Sequence, residues 1–285
     1  MALAGRPNVG KSTLVNRLVG EHVAAVSGTP QTTRRRALGV VTTSSYQLVL
    51  VDLPGFQKPF DRLTERMQRS VDDAIGDVDA VVFMLSAREQ VGAGDRLIAE
   101  RVLRPGPACV IAVNKVDAVS PATVAETISK AAQLGEFHSL HPISARTGDG
   151  VGAMLDDLVA LLPQGPQYFP AEVTSDQSIE QRISEAVREA ALAHTRQEVP
   201  HAVAVVVDEI EPGRRATRVR VRVICETESQ KGILVGKGGA MIKRIGSDAR
   251  PLVEAIVGGP VMLDVVVRVR RHWRRDTAEL DRLGV

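Results

Sequence analysis

The segment Gly5–Ser12 constrains the fold of this 285-residue chain more than any other feature. It reads Gly-Arg-Pro-Asn-Val-Gly-Lys-Ser and fits G-x-x-x-x-G-K-[ST], a loop whose backbone N–H groups can point at phosphate oxygens. Lys11 can supply charge to the β- and γ-phosphates, and Ser12 a hydroxyl to Mg²⁺. A helical pattern runs over Lys11–Val19, and its positive N-terminal end lies at the same place. The motif also arises by chance, but its position between an apolar start and a helix favours a phosphate site.

Three later segments match the other parts of a guanine-nucleotide site. Asp52 follows an apolar strand pattern and begins D-x-x-G, where it can hold Mg²⁺ through water and Gly55 can offer an N–H to a γ-phosphate. Asp117 ends N-K-x-D, and its carboxylate can accept two N–H bonds from guanine that adenine does not offer. Ser144-Ala145 can place a backbone N–H near the guanine oxygen. Each polar residue could instead cap a turn or helix, but four such elements in this order make that interpretation weak.

In these motifs the sequence resembles the translation-factor-related GTPases, and closely the Era family of bacterial ribosome-assembly GTPases. The resemblance implies an α/β P-loop GTPase domain with a mostly parallel sheet, followed by an α+β type II KH domain. It also implies that Thr33, in the switch segment Pro30–Arg34, binds Mg²⁺ together with Ser12 and, through water, Asp52. The expected guanine-nucleotide contacts are Gly5, Arg6, Pro7, Asn8, Val9, Gly10, Lys11, Ser12, Thr13, Asp52, Leu53, Pro54, Gly55, Phe56, Asn114, Lys115, Val116, Asp117, Ser144 and Ala145.

Three positions bear on how the site would work. Leu53 stands where the family usually has threonine, and Arg146 stands where it is often apolar or acidic. Phe56 occupies the position at which many GTPases carry a water-orienting glutamine, and the family shares this hydrophobic substitution. The attacking water must therefore be positioned by other groups.

The sequence assigns no catalytic side chain beyond the charge of Lys11. Related GTPases with asparagine at the position of Asn8 bind K⁺ in place of an arginine finger, so K⁺ joins Mg²⁺ as a candidate cofactor. The run Arg34–Arg36 is more typical of a solvated or RNA-facing surface than of a finger.

Charge and proline content divide the chain. Residues 1–170 carry 17 basic and 17 acidic side chains, whereas residues 212–275 carry 15 basic and 5 acidic ones. The basic excess suits an anionic partner, although a solvated surface would also explain it. A proline-rich stretch at 163–170 favours a semi-rigid linker. We therefore predict a GTPase domain at 1–165, a linker at 166–177 and a KH domain at 178–285.

The second part reads as α-β-β-α-α-β. Its first helix has an apolar stripe that includes Ile179 and a capping box formed by Ser178 and Gln181. Between its second and third helices, Gly236–Gly239 fits the G-x-x-G loop that clamps single-stranded RNA in KH domains, although a structural helical hairpin would also explain it. The low aromatic content, 3%, argues against a stacking sheet of the RRM kind. The expected RNA contacts are Lys231, Gly236, Lys237, Gly238, Gly239, Lys243 and Arg244.

By resemblance, the chain is expected to convert GTP to GDP and to bind the 3′ end of 16S rRNA during assembly of the 30S subunit, with no DNA partner. Two cysteines are too few for a disulfide framework and favour the reducing cytoplasm. The alternative is a membrane-peripheral signalling GTPase whose basic segment Arg268–Arg275 meets anionic lipid on the inner face of the cell membrane. A P-loop metabolic kinase would have no need of Asn114–Asp117.

The strand before the phosphate loop is short. Only Met1–Ala4 precede Gly5, whereas strands usually run about 5–6 residues. We therefore expect the natural start to lie upstream. The competing hypothesis is that a four-residue strand is tolerated because nucleotide binding stabilises the folded form.

Overall fold

Apolar runs form the strands of the first unit in the computed structural model, which describes residues 1–29, 31–103, 106–195 and 199–284. The strands are β1 (Ala2–Gly5), β2 (Ala37–Thr42), β3 (Gln47–Asp52), β4 (Ala80–Ser86), β5 (Ala108–Asn114) and β6 (Ser139–Pro142). They form one sheet in the order β2-β3-β1-β4-β5-β6. Only β2 runs antiparallel to its neighbour among these strands, so the predicted mostly parallel sheet is confirmed.

Five helices cover both faces of this sheet in the described residues. They are α1 (Lys11–Val19), α2 (Arg62–Gly76), α3 (Ala93–Val102), α4 (Pro121–Ala131) and α5 (Val151–Ala160). Successive residues of β4 serve opposite faces: Val82 and Met84 join one buried cluster, and Val81 and Phe83 the other. Because β1, β3 and β5 are parallel, the loops that follow them all emerge at the carboxyl ends of the strands. The candidate site lies at this end of the sheet.

The end of the first unit pairs with its outer strand. Val40 N–H donates to Thr174 O at 2.8 Å, and Leu38 N–H donates to Asp176 Oδ1 at 2.9 Å. The Gln47 amide accepts from the N–H of Tyr168 and exchanges bonds with the backbone of Phe169, at 2.8–3.0 Å. We call residues 168–176 the edge strap. It satisfies backbone groups of β2 that would otherwise be exposed at the edge of the sheet.

By its contacts the chain divides into two units. The first comprises Met1–Ala24, Thr33–Pro59 and Arg66–Asp176, and the second comprises Ala25–Thr32, Phe60–Glu65 and Gln177–Val285. The predicted domain limits at 165/166 and 177/178 remain predictions. Among the described residues, no helix has the length and apolar character needed to cross a bilayer.

The second unit builds a three-stranded sheet covered by helices. Its elements are α6 (Ile179–Ala193), α7 (Val199–Ala202), β7 (Ala204–Glu211), β8 (Thr217–Cys225), α8 (Glu228–Val235), α9 (Ala240–Val257), β9 (Val261–Val269) and α10 (Thr277–Leu283). The strand order is β7-β8-β9, with β7–β8 antiparallel and β8–β9 parallel. The predicted α-β-β-α-α-β order is present, with α7 and α10 added to it.

Local sequence patterns in the second unit predicted its structure correctly, with one exception. The capping box forms, because Ser178 Oγ accepts from Gln181 N–H at 3.3 Å and Gln181 Oε1 accepts from Ser178 N–H at 3.0 Å. Val219, Val221 and Val223 are all buried, as their alternation with arginine predicts. The prediction for Ile179 was wrong: this first helical residue is 50% exposed, because the buried stripe of α6 begins only at Ile183.

The two cysteines are expected to be chemically silent in the folded protein. Burial raises the pKa of Cys109 to about 12 and also raises the pKa of Cys225. At pH 8 only about one Cys109 thiol in ten thousand would then be the reactive thiolate. Iodoacetamide at pH 8 should leave both unmodified by mass spectrometry, and should modify both in guanidinium. Modification of folded Cys109 at the rate of free cysteine would contradict this burial.

Candidate guanine-nucleotide site and KH loop

The phosphate loop Gly5–Ser12 joins β1 to α1 and encloses a buried lysine. Lys11 Nζ donates to the carbonyls of Gly5 and Arg6 at 3.3 and 3.1 Å. Burial lowers the pKa of Lys11 to about 8, and the charge of Asp52 opposes that shift. A phosphate placed here would favour the protonated amine, because it offers the opposite charge that the buried site otherwise lacks.

Three oxygens expected to serve Mg²⁺ lie together beside this loop. Asp52 Oδ2 accepts from Ser12 Oγ at 2.7 Å and from Thr33 Oγ1 at 3.0 Å, and the two hydroxyls are 3.0 Å apart. Two hydroxyls and a carboxylate are hard oxygen donors of the kind that Mg²⁺ takes. The donor set therefore fits Mg²⁺. Pro30, at the start of the predicted switch segment, lies outside the described residues.

Asn114, at the end of β5, connects two loops that are far apart in sequence. Its Nδ2 donates to Val9 O at 2.8 Å, and its Oδ1 accepts from Ala145 N–H at 2.9 Å. Lys115 reaches the same loop, since its Nζ donates to Asn8 O. The phosphate loop, N-K-x-D and Ser144-Ala145 are therefore one hydrogen-bonded assembly.

The carboxylate of Asp117 is held by two side chains. Ser144 Oγ donates to Oδ1 at 2.6 Å, and Arg146 donates to Oδ2 through Nε at 3.1 Å and Nη2 at 2.6 Å. These bonds hold the pKa of Asp117 below its ordinary value, with Ser144 the larger cause. The group is therefore an anionic acceptor at neutral pH, as reading the N–H edge of guanine requires.

The side chains of two further predicted contacts, Arg6 and Phe56, are held by other parts of the protein. The Arg6 guanidinium pairs with Glu89 and lies 3.4 Å from Asp95. Phe56 is buried in the apolar cluster on one face of the sheet. A buried phenyl group cannot orient water, so the structure places no side chain with that ability at this position.

In the second unit, the glycine loop lies exposed between α8 and α9. Gly236, Gly238 and Gly239 have φ values of 70°, 59° and 79°, in the left-handed region that favours glycine. Lys237, Lys243 and Arg244 are exposed, whereas Lys231 is half-buried and pairs with Glu228 at 3.5 Å. The seven predicted RNA contacts thus lie on the loop or on the helices beside it.

Fold and site together define a class: a P-loop GTPase unit in one chain with a KH fold. The family described as 50S ribosome-binding GTPase matches residues 1–115, and the KH domain family matches residues 198–274. GTPase Era of Mycobacterium bovis (strain BCG / Pasteur 1173P2) is 41% identical over 291 residues, which cover 100% of this chain and 97% of that protein. GTPase Era of Mycobacterium tuberculosis (strain ATCC 25618 / H37Rv) gives the same values.

Two solved structures are similar over nearly the full chain. A crystal structure of Era in complex with MgGDPNP and nucleotides 1506–1542 of 16S ribosomal RNA is 33% identical, covers 99% of this chain and 97% of that one, and has a TM-score of 0.94. An Aquifex aeolicus Era variant bound to GDP and AlF₄⁻ gives the same identity, coverage and TM-score. The chain belongs to the Era family and is a GTPase, as the resemblance in its motifs implied.

Sequence reasoning missed several partnerships. Nothing in the local pattern indicates that Asn114 bridges two loops or that Arg6 pairs with Glu89. The one available signal was Arg146, an unusual residue next to Ser144-Ala145, and its contact with Asp117 is a feature of the folded site alone.

Gly10 offers a direct test of the assembly. Gly10 has φ +107°, and a Cβ there would lie 2.2 Å from Asn114 Nδ2. We expect Gly10→Ala to displace the Asn114 amide and to weaken GDP binding about tenfold or more, because a buried hydrogen bond is lost. Fluorescent GDP titration would measure this.

Gly20→Ala is the matched control. Gly20 has φ +83° at the other end of α1, with nothing within 4 Å of a Cβ. It should cost about 1–2 kcal/mol of unfolding free energy through backbone strain and leave GDP affinity unchanged. Equal GDP affinities in the two variants would argue against the bridge as the support of the loop.

Proposed function

We propose that the chain is a GTP–GDP switch that binds 16S rRNA through its KH loop and acts in assembly of the 30S subunit. A single observation carries this proposal: one chain combines a guanine site that has its Mg²⁺ donors gathered with an exposed, lysine-flanked glycine loop. The relative in complex with MgGDPNP and nucleotides 1506–1542 of 16S ribosomal RNA supports the same pairing. We assign the GTPase domain to 1–165, the linker to 166–177 and the KH domain to 178–285, in a cytoplasmic protein.

The proposed roles follow from the geometry. The N–H groups of Gly5–Ser12 and the amine of Lys11 hold the phosphates, while Ser12, Thr33 and Asp52 hold Mg²⁺, which neutralises phosphate charge when bound. Asp117 accepts the N–H groups of guanine, and Ser144-Ala145 lies beside it, with the Ala145 N–H bonded to Asn114 Oδ1 in this structure. Thr33 belongs to the switch segment, so its bond to Asp52 links that segment to the metal site.

Asp117→Asn tests the guanine site. An amide in place of the carboxylate turns one acceptor into a donor, which suits the 2-oxo group of xanthine rather than the 2-amino group of guanine. We expect GDP affinity to fall about a hundredfold or more, with a gain for xanthosine diphosphate. Competition titrations with both nucleotides measure the preference. An undiminished preference for GDP would contradict the role of Asp117.

Phe56 replaces the usual water-orienting glutamine and no arginine is assigned as a finger, so positive charge for the transition state must come from another source. We propose that K⁺, held by Asn8, supplies charge next to the phosphates. Asn8 is in the phosphate loop with φ 62°, and its carbonyl accepts from Lys115 Nζ. Its carboxamide oxygen is a neutral hard donor of the kind that alkali cations accept.

Turnover of GTP is therefore expected to be faster in K⁺ than in Na⁺ at equal ionic strength. Asn8→Gly should remove the difference, because it deletes the carboxamide while glycine tolerates the positive φ. GDP affinity, measured in parallel, should stay near the wild-type value. Equal turnover in both salts for the wild type would exclude the K⁺ role and leave the GTPase assignment intact.

The RNA proposal rests on the loop and its charges. A KH loop clamps the RNA backbone closely, so the absence of side chains at Gly236, Gly238 and Gly239 is part of the contact. Lys237, Lys243 and Arg244 present positive charge to the phosphates, and binding should weaken with salt as counterions are released. Aliphatic Ile233, 47% exposed beside the loop, offers an apolar contact to a base.

Changing both Lys237 and Gly238 to Asp should weaken binding of a 16S rRNA 3′-end oligonucleotide about tenfold or more, since it removes one cation and adds two anions. A Cβ at Gly238 meets nothing within 4 Å, and aspartate tolerates this backbone region, so the fold should persist. Gly258→Asp, at φ +79° in open space at the other end of α9, is the control. Unaltered RNA binding by the double variant would point to another surface.

Co-sedimentation compares the two partners considered for the basic segment Arg268–Arg275. Trp273 is fully buried, and its Nε1 donates to Ala202 O at 2.9 Å, so it is not available to anchor in lipid. Arg270 pairs with Glu279 and Arg274 with Glu226. The wild type should pellet with 30S subunits and not with anionic vesicles. The reverse result would favour the membrane-peripheral alternative.

A further inference from the structure

Arg146 lies on the carboxylate that is proposed to read guanine. Its Nε and Nη2 both donate to Asp117 Oδ2, at 3.1 and 2.6 Å. The Arg146 side chain is 73% exposed, whereas that of Asp117 is only 13% exposed. A solvent-facing guanidinium therefore covers a carboxylate that lies deeper in the site.

Arg146 occupies acceptor positions of the Asp117 carboxylate that guanine would need. An ionised carboxylate has about four lone-pair positions. In Asp117 one is used by Ser144 Oγ and two by Arg146, so one remains. Guanine needs two positions on the same carboxylate, for its N1–H and its 2-amino group. Ser144 is fixed by its backbone bond to Asp149, so the second position must come from Arg146.

We propose that Arg146 competes with guanine for the carboxylate of Asp117, so that the release of Arg146 from this carboxylate is part of nucleotide binding. Arg146 stabilises the nucleotide-free protein. It lowers the affinity for GDP and GTP alike, because it competes with the guanine base that both nucleotides share. This inference rests on the proposed reading of guanine by Asp117.

The site is built so that this exchange affects few other contacts. Ala145 N–H is bonded to Asn114 Oδ1, and Ser144 N–H donates to Asp149 O at 2.8 Å, so the backbone on the N-terminal side of Arg146 is fixed. Arg146 can leave Asp117 without being buried elsewhere, because its side chain is already largely exposed and solvent would then hydrate the guanidinium. An exposed ion pair of this kind is weak and salt-sensitive, which suits a contact that is broken at each binding event.

The test is fluorescent-GDP binding to the full chain with Arg146→Ala. Deleting the competitor should raise GDP affinity about two- to fivefold at low salt, the range expected for an exposed ion pair. The gain should shrink at 0.5 M NaCl. Arg88→Ala is the matched control, because Arg88 is an exposed arginine whose charge acts on Lys115 in N-K-x-D. It removes the same charge from the surroundings of the nucleotide without touching Asp117, and it should not raise affinity.

A double-mutant cycle shows whether the effect passes through the carboxylate. In the D117N background the ion pair is already lost, so adding R146A should leave xanthosine diphosphate affinity unchanged. Three results would overturn the inference: an R146A variant with unchanged or lower GDP affinity, an equal gain from R88A, or an equal gain from R146A in the D117N background. If D117N fails to gain affinity for xanthosine diphosphate, the guanine assignment itself is wrong, and that result is distinct from the three above.

Discussion

The bridge made by the Asn114 carboxamide is the contact on which the guanine site depends. It is 2% exposed, and its two polar atoms bond to the phosphate loop on one side and to Ala145 on the other. Since neither bond is exposed to water, losing either would leave a buried polar group unsatisfied. The amide therefore fixes the distance between the place where phosphate would bind and the place where the base would bind. Asn114 itself is fixed because it ends β5, whose residues Cys109–Asn114 are all buried.

The core supports this arrangement from both faces of the sheet. β4 is buried at every position and lies between β1, which leads into the phosphate loop, and β5, which leads into N-K-x-D. The chemistry is carried by loops, yet each loop begins at a strand that cannot shift without disturbing two apolar clusters. The charges of Lys11 and Asp52 are tolerated in the interior because they lie close enough to compensate one another in part.

The parts of the fold that sequence could predict are those encoded by local spacing. The run Lys11–Val19 was expected as a helix and has those bounds, and the alternation of valine and arginine in β8 correctly assigned its two faces. Strand β2 and helices α3, α4, α7 and α10 were not assigned, because their short or mixed patterns acquire meaning only from neighbours in the fold. Ile179 shows a different error, in which a pattern predicted too much. The helical spacing extends one turn further toward the N-terminus than the buried face of α6, so it assigned the exposed Ile179 to that face.

The candidate site shows the same limit. Motif spacing placed Ser12, Thr33 and Asp52 in one metal site, and the structure brings their oxygens within 3.0 Å of one another. It gave no information on where arginine side chains would lie, because a long flexible side chain selects its partner from whatever charge the fold brings near. Arg6 lies within the phosphate loop and Arg146 directly follows Ser144-Ala145, yet their partners lie 83 and 29 residues away, at Glu89 and Asp117.

The edge strap gives the first unit a particular order of completion during translation. β2 and β3 are synthesised early, whereas the strap that pairs with Val40 through Thr174 follows more than a hundred residues later. Until residues 168–176 have left the ribosome, the outer strand of the sheet presents open N–H and C=O groups to any other extended chain nearby. The nascent chain thus passes through an interval in which its nucleotide-binding elements already exist while its sheet is still open to pairing with another chain. That interval ends only after translation has passed residue 176.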